Sequence, residues 1–132
     1  MKHLPAGSII LLLASLCLVA CKKKQTPSSE VRAAAEQYYG YLIDGNVDAY
    51  LHGFHDYDRL SEAYRHQLRD MFRQYLQREQ ELHGGLVSAQ AVHDTLIDNQ
   101  HAQVFVEITY HDNNREKVLL PLILTQEGWR LK

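Results

Sequence analysis

The groups in this 132-residue chain that can carry chemistry are a histidine, a set of tyrosines and a cysteine. His93 stands in the stretch Ala89-Gln90-Ala91-Val92-His93-Asp94-Thr95, where Ala89 and Ala91 leave space beside it. An imidazole in such a place is a general base or a ligand-orienting group, because burial and neighbours move its proton affinity readily through the physiological range. The competing readings are a core histidine bonded to a backbone carbonyl, or one turned outward by a β-bulge. Tyr38, Tyr41, Tyr50 and Tyr110 belong to a set of eight tyrosines. Aimed into a hollow they would line a ligand pocket; otherwise they fill the margin where a core meets water. His52 and His55 lie three apart with Asp56 and Asp58 close by, a spacing that metal sites use. No second cluster completes a coordination shell, so no metal and no cofactor is expected. Arg65, Arg69 and Arg73 line one helical face at every fourth residue and could meet anionic head groups or a partner, but Glu62, Asp70 and Glu79 interrupt the charge, which favours a solvated face. The chain has no serine in a nucleophile elbow and no glycine-rich phosphate loop.

Cys21 closes an apolar run, Ile9 to Ala20, of twelve residues behind a short basic start. A bilayer-spanning helix needs about 20 apolar residues, so the run has the size of a signal-peptide core rather than of a span. Leu18-Val19-Ala20-Cys21 resembles the lipobox of bacterial lipoproteins. The resemblance implies a signal peptide over 1–20, cleavage before Cys21, acylation of that cysteine and attachment to the cell envelope; an uncleaved signal anchor is the alternative. Known sorting rules imply the outer membrane, facing the periplasm, because lysine rather than aspartate follows the cysteine. Lys22, Lys23 and Lys24 oppose the usual positive-inside bias. Residues 21–28, lysine-rich and containing Pro27, read as a polar tether, which leaves 29–132 as the domain. Cys17 leaves with the signal, so no internal disulfide can form and an ordinary core must hold the domain. The mature chain carries 13 basic against 16 acidic residues, a balance that gives no reason to expect nucleic acid.

Three helices and a sheet must position these groups. Val31, Ala34, Ala35, Tyr38, Tyr41 and Leu42 recur at helical spacing behind Ser28 or Ser29 as cap, with Gly45 at the end. Val47, Tyr50, Leu51 and Phe54 continue in a shorter helix. Leu60, Tyr64, Leu68, Met71, Phe72, Tyr75, Leu76 and Leu82 form the stripe of a long third helix that Gly84-Gly85 stops. After Gly85 the period changes to two, and turn residues at Asp98-Asn99, Asp112-Asn113-Asn114 and Glu127-Gly128 divide four antiparallel strands. Helices first and a meander afterwards predict an α+β domain with the helices on one face of the sheet.

A two-residue first hairpin sets Ala89, Ala91, His93 and Thr95 on the same side as Ala102, Val104, Val106, Ile108 and Tyr110, the inner side, with Asp94 outward. An odd second loop brings Val118, Leu120, Leu122 and Leu124 inward, and a tight last turn adds Trp129 and Leu131. Val92, Leu96, Phe105, Leu119, Pro121 and Ile123 then lie outside, an apolar surface of the kind that marks association unless the third helix or the tether covers it.

The helix-one spacing, the glycine stop, the four-strand meander and the terminal Gly128-Trp129-Arg130-Leu131, behind a lipobox, resemble the small bacterial lipoproteins of the nuclear transport factor 2-like (cystatin-like α+β) superfamily. That resemblance implies a curved sheet and helices forming a cone that is hollow in some members, and dimerisation through the sheet. The leading reading is a membrane-tethered binding or assembly module, without catalysis, for a small apolar ligand or a protein partner, with a homodimer through the outer sheet face expected besides. An isomerase or dehydratase with His93 as base competes with it. An inhibitor-type factor would need longer loops than these turns supply.

Overall fold

The computed structural model describes residues 26–132, so the stretch read as a signal peptide and Cys21 lie outside the described residues. Helix α1 runs Pro27–Ile43; Thr26 caps it by accepting the Ser29 N–H at 3.2 Å, and Pro27 begins it at a position whose missing donor costs nothing. The helix thus starts two residues ahead of Ser29, inside the segment read as tether. Helix α2, Val47–His52, is capped by Asn46. A single 3₁₀ turn, Tyr57–Arg59, leads to α3, Glu62–His83, which Ser61 caps and which ends at Gly84 with φ +78°. A left-handed residue at this stop favours glycine. No helix among the described residues is long and apolar enough to cross a membrane.

Strands β1 (Leu86–Leu96), β2 (His101–Tyr110), β3 (Arg115–Thr125) and β4 (Gly128–Leu131) form one antiparallel sheet in the order β1-β2-β3-β4. The second hairpin closes with Tyr110 N–H on Asn114 O at 2.9 Å around an odd loop in which Asn113 is left-handed. Val104 pairs with Leu120 and Ala102 with Leu122, so the inner residues of β3 face as expected. Leu122 pairs with Leu131 and Leu124 with Trp129, which points Trp129 inward.

The first hairpin departs from the regular alternation. Ala89 pairs with Ile108 and Ala91 with Val106, as a two-residue loop would require, but then Val92 is left over, His93 pairs with Phe105, and the hairpin closes with Ile97 N–H on His101 O at 2.9 Å around the three residues 98–100 rather than the expected two. One extra residue in a strand exchanges the faces of everything beyond it. Beyond Val92, therefore, four expectations are corrected: His93 and Thr95 turn outward, whereas Asp94 (opposite Val104) and Leu96 (opposite Ala102) turn inward.

The helices bury their apolar faces against the inner side of the sheet. Val31, Ala35 and Leu51 meet Val104, Val106, Ile108 and Leu122, each fully buried. The backbone at Gly53 is drawn so close that a Cβ there would lie 2.5 Å from the Tyr38 ring. Helix α3 does not bury the whole predicted stripe. Leu68, Phe72 and Leu76 rest on the core, while Tyr64, Met71 and Leu82 remain 48%, 53% and 64% exposed. Met71 sits about 100° around the helix from Phe72, so one packed face cannot cover both.

Candidate functional site

Of the residues expected to line a pocket, Tyr38 and Tyr41 come together, their ring centroids 6.4 Å apart beside an open recess of about 400 Å³ that Ala49, His52 and Arg130 also border, while Tyr50, Tyr110 and His93 lie elsewhere. Tyr38 is buried and its hydroxyl donates to Trp129 O at 2.7 Å. Tyr50 is buried among the rings of Tyr39, Phe54 and Phe72, with centroids 4.9–6.3 Å away. Burial, followed by the nearby phenols, pushes the Tyr39 and Tyr50 hydroxyls well above the usual tyrosine range. Tyr110 is buried and donates to Glu116 Oε2 at 2.6 Å; burial first, then this bond, raises its proton affinity. Tyr41 is half-buried and its hydroxyl accepts from Gln37. Tyrosine rings and aliphatic side chains fill the space between helices and sheet. His93 is exposed on the other side of the sheet, so the general-base reading has no enclosed site to act in.

What the bulge does place inward is Asp94, whose side chain is only 6% exposed. It accepts a hydrogen bond from Ser28 Oγ at 2.8 Å and a charged one from Arg32 Nε. One turn further along α1, Glu36 Oε1 accepts the Ala91 N–H at 3.0 Å, beside the bulge. Burial pushes the Asp94 carboxyl up, but the hydrogen bonds from Arg32 and Ser28 and the Arg32 charge outweigh it and hold it below the usual carboxylate range. Ser28, Arg32 and Glu36 recur at every fourth residue, a polar line on the helix that the apolar count passed over. That line was the available signal for a polar partner on β1.

The outer face of the sheet carries a continuous cross-strand row, His93 opposite Phe105 opposite Leu119. The His93 and Phe105 rings lie 6.2 Å apart. Phe105 is 39% exposed, Leu119 46% and Val92 37%. Ile123 is half-buried and Pro121 exposed on the same side, next to Gln103. Glu107 and Lys117 face each other one row along, and Arg115 pairs with Glu107 at 3.6 Å. Apolar centre and charged margin together have the anatomy of an association surface. Leu96, expected here, is at the inner edge instead.

The histidine and arginine motifs serve local structure. His52 Nδ1 meets Asp48 O at 2.7 Å, and His55 Nδ1 meets Leu131 O at 3.1 Å, so the two rings take separate backbone partners. Arg65 donates to Leu60 O and Asp58 O and stacks over the Tyr57 ring, while Arg69 donates to Asp48 Oδ1 at 2.9 Å. Together with His52 and His66 they border an open groove of about 730 Å³.

A solved structure titled as a candidate nuclear transport factor 2-like transpeptidase, from Campylobacter jejuni, superposes on this chain with a TM-score of 0.62, covering 78% of this chain and 97% of that one. The fold is nuclear transport factor 2-like. At 14% identity the likeness is one of fold, and the nuclear transport factor 2-like frame leaves the chemistry to this chain's own residues. No family model and no curated protein matches the chain.

Proposed function

We propose that this chain is a lipid-anchored protein of the cell envelope whose nuclear transport factor 2-like domain is a non-catalytic assembly module, associating through the outer face of its sheet with a second copy of itself. One observation carries the reading: the side of the sheet under the helices is packed with tyrosine and aliphatic side chains, while the apolar row of Phe105 and Leu119 faces water. Apolar area returns roughly 25 cal/mol per Å² when it leaves water, so a second sheet laid on this row gains more than solvent offers. The lipobox-like run ending at Cys21 supports the anchor, with the outer membrane, periplasmic side, as its place.

The test has two separate readouts. Growth with radiolabelled palmitate should label the native protein but not Cys21→Ser; a mature N-terminus anywhere but Cys21 removes the anchor. Sedimentation of the region 26–132 should show a dimer that Phe105→Glu converts to a monomer. A monomer at high micromolar concentration, with Phe105→Glu making no difference, removes the assembly reading.

A further inference from the structure

The recess where the tether enters the domain is lined by Pro27, Leu96, Leu124 and Trp129, with Glu30 and Asp98 at its rim, and encloses about 360 Å³. Leu96 is 43% and Leu124 39% exposed, although both belong to the inner side of the sheet. Ile97, the next residue at the tip of the first hairpin, is 58% exposed. The Trp129 ring is 9% exposed, and its indole N–H is buried without a hydrogen-bond partner among the described residues. Part of this apolar end is a product of the bulge, because the unshifted register would send Leu96 to the opposite face.

We propose that this end of the domain docks on the membrane interface, with Leu96, Ile97 and Leu124 dipping among the lipid headgroups. The proposal rests on the lipid-anchor reading, and the length of the tether selects the occupant. Six backbone steps separate Cys21 from Pro27, which at full extension is roughly 20 Å. The opposite end of the sheet, at Tyr110, lies a further 33 Å or so away along the ten residues of β2. An anchored Cys21 therefore keeps the Pro27 end at the bilayer. Interfacial binding scales with the apolar area inserted plus the attraction of basic groups to anionic lipid. Glu30 and Asp98 make the rim acidic, so the apolar side chains carry the contact and uncharged phosphatidylcholine suffices.

Trp129 is the only tryptophan in the chain and reports from the recess itself. The full-length lipidated protein is reconstituted into phosphatidylcholine vesicles, either plain or with dibrominated acyl chains, and its emission is compared. The expected result is that emission falls by about half in the brominated vesicles, since interfacial groups sit roughly 5–10 Å into the headgroup–acyl boundary, within reach of bromine. Ile97→Asp should restore the emission although the protein still floats with the vesicles. Leu119→Asp, on the outer face, should leave the quenching unchanged, which separates lost docking from lost folding. Equal emission in both vesicles, with the protein floating, overturns the proposal and leaves the anchor standing. Quenching by free dibrominated fatty acid but not by brominated vesicles gives the recess to a single apolar molecule and also overturns it. A native protein that neither floats nor carries acyl mass on Cys21 removes the anchor reading, and the docking proposal falls with it.

Discussion

Asp94→Ala is the substitution whose outcome depends most directly on the bulge. In an unbroken β1 the Asp94 carboxylate faces water, and its loss should cost no more than a surface change, within about 0.5 kcal/mol. With Val92 bulged, the carboxylate is 6% exposed and bonded to Ser28 Oγ and Arg32 Nε. Hydrogen bonds to a charged group contribute about 1.5–3 kcal/mol, and the 40% exposure of Arg32 places this site in the lower half of that range. A loss of about 2 kcal/mol lowers the melting temperature of a domain this size by roughly 10 °C. Urea unfolding of the region 26–132 at pH 7 measures it, and a double-mutant cycle with Arg32→Ala should give a coupling of about 1 kcal/mol. The pH dependence adds an independent reading. The folded carboxyl is held below its unfolded value, so its contribution is complete above about pH 4 and is lost as pH falls further, and the gap between native and Asp94→Asn should close over that acid range. A mutant within 0.5 kcal/mol of the native protein at pH 7, with no coupling to Arg32, would refute the bulge and restore the regular strand.

Gly53→Ala should destabilise the domain by about 2 kcal/mol, because the added methyl would lie 2.5 Å from the packed Tyr38 ring; a urea midpoint equal to the native one would show that this contact relaxes freely. The buried phenols of Tyr39, Tyr50 and Tyr110 hold their protons above the usual range, so their contribution is present below about pH 10 and is lost as pH rises beyond it. Absorbance at the tyrosinate band should accordingly rise in two steps, exposed phenols first and the buried ones together with unfolding; a single step near the ordinary value would mean a hollow, hydrated interior.

Helix periodicity, the turn residues and the parity of the second and third hairpin loops were enough to read three helices, four strands and the inner faces of β2, β3 and β4 directly from the residues, because those signals act over neighbouring positions; the first loop, expected to be even, is odd. Phe105, Leu119 and Ile123 followed from the same alternation and do face outward. The inward turn of Trp129 did too. The tertiary structure alone decided the far half of β1. Nothing local to Ala91-Val92-His93 demands an extra residue; its partners are Ser28, Arg32 and Glu36, which meet Ala91 and Asp94 across 55 to 66 positions of chain. A buried carboxylate is tolerable only where such donors converge, and which donors converge is set by how α1 lies across the sheet. The same packing decided that Tyr38, Tyr39 and Tyr50 are buried between the helices and the sheet, since their helical spacing is identical whether a core or a pocket awaits them.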